Sequence, residues 1–165
     1  MVTIKLPDGS KKNFNKPTNG LEIAVSIGAN LAKAAVAVNI NGIQHDLSDQ
    51  INDDAEVSLI TINSEEGIEI MRHTLTAQVL ARAVKNLYPK AKLVIGPTIE
   101  NGFYYDFLFE DQLSVDDLPK IEEEMQKIIA SEESIEKSLK SKKEAVELFK
   151  ERSEKYKIDI IQNSD

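Results

Sequence analysis

Cysteine is missing from all 165 residues, which excludes a disulfide, a thiolate nucleophile and a thiolate-bound metal. Tryptophan is missing too, and aromatics make up 5% of the chain, so the core has to be built from Leu, Ile, Val and Ala. Only two histidines occur, His45 and His73. Zinc requires three or four protein ligands, and with one histidine in each half no bound metal is expected. No apolar run approaches the length of a signal peptide or a membrane-spanning helix. These absences predict no membrane contact and a reducing, cytoplasmic setting. Positive charge is also short, since the net charge is -8. Gripping nucleic acid by field alone needs clustered Lys and Arg to release counterions, so any RNA contact would be local.

Hydrophobic residues at 41% and charged residues at 29% are ordinary for a globular chain, and this length suits one medium domain or two small ones. Five of the basic and seven of the acidic side chains precede residue 62, so neither half is a basic module. The Lys and Glu beyond position 120 are expected to form a solvated helix face.

The first 62 residues read as β, β, α, β, β, β. Val2 to Leu6 alternate at period two, Pro7-Asp8-Gly9 supplies a turn, and Lys12 to Phe14 return. Leu21, Ile23, Ala24, Ile27, Leu31 and Ala34 give a short amphipathic helix, with a break expected at Gly28 in the left-handed conformation. Val36, Val38 and Ile40 alternate before Asn41-Gly42, the strongest short hairpin signal. Val57 to Ile62 form the last strand. This order fits a β-grasp (ubiquitin-like) domain and also other small α+β folds.

The stretch LEIAVSIGANLAKAAVAVNINGIQHDLSDQINDDAEVSLIT narrows the choice. It resembles the TGS domain of threonyl-tRNA synthetases, certain GTPases and alarmone synthetases. Within it Asn41 and Asp46 are expected to serve the fold, and Lys33 is the residue to test for binding. His45, without a carboxylate or second histidine in ligand spacing, reads as a surface strand residue.

From Ile68 the period becomes helical, with Leu80, Ala83, Val84 and Leu87 as an apolar stripe that stops at Tyr88-Pro89. Leu93 to Ile95 form a strand, Asn101-Gly102 turns it, and Phe103, Tyr105, Phe107 and Phe109 share one face of the return. A helix follows, capped by Ser114 or Asp117, with Pro119 in its first turn. Ser141 to Phe149 read as a shorter helix and Tyr156 to Ile161 as a closing strand.

The motifs EEGIEIMRHT, AVKNLYP, IGPTIENGFYYDF, AVELF and SEKYKIDII are similar, in order, to the segment that follows the TGS domain in threonyl-tRNA synthetases. The resemblance implies an α+β chain of three parts. These are a TGS β-grasp domain at 1–62, a linker at 63–67 and, at 68–165, a truncated editing domain of the second additional domain type shared by threonyl- and alanyl-tRNA synthetases. In that family the second module removes serine wrongly attached to threonine tRNA. It uses two histidines on its first helix with a cysteine and a histidine from a later strand and turn. The resemblance makes His73 a remnant of the first histidine. Gln78 falls where the second would stand, and Tyr105 and Lys157 match positions lining the editing pocket.

The chain departs from the pattern in two ways. Gln78 replaces a histidine, and one residue has been added between it and His73. At about 100° per residue an unbroken helix aligns His73 with Ala77, Leu80 and Val84 and turns Gln78 to the other side. A one-residue π-bulge would restore the facing arrangement. Glutamine can orient a water or a substrate but is no base near neutral pH. The later cysteine and histidine have no counterpart in these residues, so the chain by itself is expected to be editing-inactive.

Three functions compete. The first is the TGS and editing region of a threonine–tRNA ligase, with tRNA as partner through the parent enzyme. It would hold no cofactor of its own, since ATP, Mg and Zn would belong to the absent synthetase domain. A second is a free-standing, non-enzymatic TGS module that binds RNA or a protein. A third is an editing paralogue that has lost hydrolysis. Truncation would also leave an unpaired sheet edge and an uncovered apolar cleft, from which self-association is expected.

Overall fold

The computed structural model describes residues 1–110 and 112–164. It divides into two compact units, Met1–Met71 and Arg72–Asp165.

In the first unit β1 (Val2–Lys5) and β2 (Lys11–Phe14) form the opening hairpin. A short ladder joins β3 (Thr18–Asn19) to β6 (Gln50–Ile51). Between them lie α1 (Gly20–Ile27), α2 (Ala29–Ala34), β4 (Ala35–Ile40) and β5 (Ile43–His45), and β7 (Ala55–Thr61) closes the unit. The main sheet runs β2-β1-β7-β4-β5, with β1 and β7 parallel at its centre. A mixed sheet with parallel central strands covering a helix is the β-grasp arrangement. Val2, Ile4, Ile23, Val38, Ile51 and Val57 are its buried core, alternate positions on each strand meeting the inner face of α1.

Of two local details, one meets the expectations and one differs. Asn41 (φ 51) and Gly42 (φ 84) form the predicted two-residue turn, both in the left-handed region that such a hairpin needs. Gly28 instead has φ 170, an extended backbone rather than a left-handed cap, and it separates two helices where one was expected.

The helix expected to open the second module starts early, and most of it lies in the first unit. α3 (Glu65–Thr74) begins inside the stretch 63–67 expected to be a linker. Ser64 accepts the Gly67 amide with its hydroxyl and donates that hydroxyl to the Thr61 carbonyl. Gly67 lies so close to the Thr61 carbonyl that a Cβ has no room.

In the second unit the helix passes through a π-helical turn, Leu75–Leu80, into α4 (Ala81–Leu87). The expected hairpin is present but divided into two ladders. β8 (Lys92–Leu93) pairs with β11 (Phe107–Leu108), and β9 (Thr98–Ile99) pairs with β10 (Gly102–Phe103). The break falls at Gly96-Pro97, where proline has no amide to donate and the Tyr105 ring covers Gly96. The second turn also shifts. Ile99 pairs with Gly102, so Glu100-Asn101 make the turn and Gly102 is the first residue of the return strand.

A capping box of Ser114 and Asp117 starts a short 3-10 turn, and α5 (Leu118–Ala130) follows with Pro119 in its first turn. Ser114 therefore starts the 3-10 turn with Asp117 as its capping-box partner, while α5 itself has no side-chain cap bond. α6 (Lys142–Glu151) is capped by Ser141 and Glu144. The closing strand is not observed. Residues Lys155–Asn163 form α7, and Glu154, Tyr156, Lys157, Ile158 and Ile161 are the covered positions while Lys155, Asp159, Ile160 and Gln162 face solvent. That is a helical spacing, and the alternation of Tyr156, Ile158 and Ile160 that suggested a strand is not used. α4, α5 and β11 enclose a core of Ala83, Val84, Ala91 and Ile121, flanked by Phe107, Phe109 and Met125.

Candidate functional site

His73 and Gln78 stand on either side of the start of the π-helical turn. Its i→i+5 pattern is seen in the Ala81 amide, which donates to the Thr76 carbonyl. The hydrogen bonds here span five residues where those of an α-helix span four. A turn widened in this way can take up one added residue, and Gln78 lies within it while His73 precedes it. Thr76 holds the wide turn from inside. It is fully buried, and its hydroxyl donates to the Arg72 carbonyl at 2.7 Å. Arg72 in turn donates through Nη1 to the Glu100 carbonyl at 2.7 Å, tying the helix to the β9–β10 turn.

Both site side chains on this helix are exposed, and neither hydrogen-bonds to a described residue. Gln78 lines a cleft of about 300 Å³ with Val79, Arg82, Ile128 and the acidic stretch from Glu132 to Glu136. Arg82 makes a bidentate pair there with Glu133, at 2.7 and 3.1 Å.

Tyr105 and Lys157 are brought together in a different place. Tyr105 is half-buried and stacks on Phe107, with ring centroids 4.3 Å apart. It lines a larger cleft of about 740 Å³ with Leu80, Val84, Phe109 and Met125. The Lys157 Nζ lies 5.8 Å from the Tyr105 ring centroid, within cation-π range, and donates to the Val94 carbonyl at 3.3 Å. Burial pushes the Lys157 ammonium below its ordinary value, opposed by the nearby Glu154 charge. Burial, followed by the same carboxylate, pushes the Tyr105 phenol above its ordinary value.

Sequence reasoning passed over Glu154, which is 3% exposed. It pairs with Lys85 at 2.9 Å and accepts the Leu93 amide at 3.2 Å. Lys85 also donates to the Pro89 and Ala91 carbonyls. Glu154 and Lys85 lie inside the SEKYKIDII and AVKNLYP motifs, but a charged residue in a run of Lys and Glu carries no sign of burial. Gly96 was missed for a different reason, since only the Tyr105 ring packed over it leaves no room for a Cβ.

In the first unit His45 is half-buried and its Nδ1 lies 3.5 Å from the Asp49 carboxylate, in the loop that follows β5. This corrects the expectation that it has no carboxylate in range. Asp46 accepts the amide and hydroxyl of Ser48, and the Asn41 side chain accepts the Glu56 amide, so both serve the fold. Lys33 is exposed at the end of α2. Among the described residues no group of three or more His, Asp or Glu could hold a metal ion, and no helix is long and apolar enough to cross a membrane.

The profile of the TGS domain family matches residues 2–61. Similarity to curated proteins extends across both units. The chain is 50% identical over 165 residues to the threonine–tRNA ligase of Dichelobacter nodosus, covering 100% of this chain and 26% of that protein. It is 48% identical over 161 residues to that of Hahella chejuensis, covering 98% and 25%. This chain is the counterpart of the N-terminal region of threonine–tRNA ligases. The threonine–tRNA ligase of Acetivibrio thermocellus is 47% identical over 163 residues, 99% of this chain and 26% of its own length. The chain thus spans about a quarter of the length of the curated relatives it matches.

Proposed function

We propose that this chain acts as the TGS and editing region of a cytoplasmic threonine–tRNA ligase. In this reading its second unit meets the 3′ end of threonine tRNA carrying serine, and the chain by itself does not hydrolyse it. The observation that carries the reading is similarity along the whole chain, because a free-standing TGS module would match in the first unit alone. Tyr105 and Lys157 form the binding half of the site. An ammonium held over an aromatic ring beside an apolar cleft can take a polar aminoacyl group while the walls exclude water.

The hydrolytic half is weak in this chain. Ester hydrolysis needs a group that takes a proton from water near neutral pH. On the site helix His73 is the one such group, and Gln78 can orient a water or a substrate but not deprotonate it. The test is deacylation of seryl-tRNA by the purified chain. No useful rate is expected. Appreciable deacylation that His73→Ala abolishes would overturn the inactive reading. Binding of tRNA that persists unchanged when the second unit's Tyr105 and Lys157 are both replaced by alanine would favour a TGS-centred binding module instead.

A further inference from the structure

The buried carboxylate of Glu154 is not needed to line any cleft, yet it is the most enclosed charged group among the described residues. Its surroundings explain why it is there. Three consecutive residues of the β8 strand and its extension are gripped by the start of α7. Lys92 donates through Nζ to the Ser153 carbonyl at 3.1 Å, Leu93 donates its amide to Glu154 at 3.2 Å, and Val94 accepts from Lys157 Nζ at 3.3 Å. Glu154 and Lys157 are three apart, on one side of the helix start. The Glu154 carbonyl accepts the amides of Lys157 and Ile158, and its own amide donates to the Phe149 carbonyl. One residue therefore sets the first turn of α7, the end of α6 and the register of the strand.

We propose that Glu154 is a positioning residue that fixes the Lys157 ammonium over the Tyr105 ring, acting from behind the site through α7 and the Leu93-Val94 backbone. This rests on the reading of Tyr105 and Lys157 as the binding half of an editing site. The alternative role for Glu154 is a plain structural ion pair with Lys85. The two roles differ in what they move. A structural pair affects stability only, whereas a positioning residue changes the environment of Lys157 in molecules that remain folded. The ionisable groups facing Lys157 are Glu154 and Tyr105, with Lys85 from α4 paired to the carboxylate and the Lys92 ammonium at the neighbouring Ser153 carbonyl. Burial is the larger influence on the Lys157 ammonium, and the Glu154 carboxylate opposes it by favouring the protonated form.

The test uses the full chain with Glu154→Gln, and with Glu154→Gln combined with Lys85→Met, which removes both charges and keeps the variant measurable if the single change does not fold. Two quantities are read. The first is the NMR titration of the Lys157 side chain together with the Tyr105 ring signals. The second is affinity for an amide-linked, non-hydrolysable analogue of seryl-adenosine. Glu154→Gln is expected to lower the Lys157 pKa, since an opposite charge has been removed, and the double variant to lower it less, since the Lys85 cation leaves with it. Both variants are also expected to shift the Tyr105 ring signals and weaken the analogue on the order of tenfold. Unchanged Lys157 and Tyr105 signals in folded variants would overturn the proposal. If Lys157→Ala leaves analogue affinity unchanged, the reading of the cleft fails, and the NMR titration still decides the role of Glu154.

Discussion

Lys85 shows how one side chain can be tied to a buried charge. Its ammonium is the ion-pair partner of a carboxylate that is 3% exposed, and it also satisfies two carbonyls at the end of α4. Removing one member of such a pair leaves the other buried and uncompensated, which costs more than the pair contributes while intact. Because Lys85 keeps partial solvent contact, Lys85→Met is expected to destabilise the second unit at the lower end of that range, about 3 kcal/mol. Urea unfolding at neutral pH measures it, and a loss below 1 kcal/mol would mean that water replaces the lysine. Lys157 yields a prediction with a pH sign. Its folded pKa lies below the ordinary 10.5, so between the two values the unfolded chain binds the proton more strongly. The buried charge therefore opposes folding at neutral pH, and this opposition fades as pH rises through the folded pKa toward 10.5. Tyr105 acts the other way, since its raised pKa removes stability as pH rises through 10 and above. Comparing wild type with Lys157→Met isolates the lysine. The stability of wild type relative to the variant is expected to rise between pH 8 and 10.5, and a flat difference would contradict the depressed pKa.

Among the elements, the π-helical turn from Leu75 to Leu80 most directly shapes the candidate site. The fully buried Thr76 ties this turn to the one before it through its hydroxyl, which donates to the Arg72 carbonyl. Thr76→Val keeps the shape and removes that bond. A loss of about 1–2 kcal/mol is expected, with faster amide exchange confined to residues 72–81 as the local signature. Exchange that quickens equally throughout the unit would show that Thr76 does not hold the turn. The wide turn was legible in the chain only as a conflict of register: His73 and Gln78 each matched a neighbouring motif, yet stood one residue too far apart. Caps and turns were easier to read. Ser114, Asp117, Ser141 and Asn41-Gly42 act through short-range backbone bonding, which sequence spacing records directly. What escaped was set by tertiary contact. Tyr156, Ile158 and Ile160 alternate as a strand would, but α7 forms because Glu154 and Lys157 bind β8 across more than sixty residues of sequence. The Gly96-Pro97 break in the hairpin likewise depends on a ring that arrives from Tyr105.

For the molecule as a whole, the two cores share no residues. Val2, Ile4, Ile23, Val38, Ile51 and Val57 fill the TGS unit, while Ala83, Val84, Ala91 and Ile121 anchor the second. Each cluster is closed by its own elements, so damage to one should be felt there first. Ile23 tests this, because it is fully buried beneath the sheet and Ile→Ala in a core removes both transfer energy and packing. Ile23→Ala is expected to cost about 3 kcal/mol in the first unit. The same variant should leave the NMR signals of Val84, Tyr105, Phe107 and Ile121 at their native positions, and affinity for the seryl-adenosine analogue should be unchanged. The TGS unit would then contribute to a ligase through its own surface rather than by shaping the cleft. Loss of the Tyr105 and Phe107 signals at temperatures where only the first core has melted would overturn that division, and would mean that the TGS fold supports the site directly.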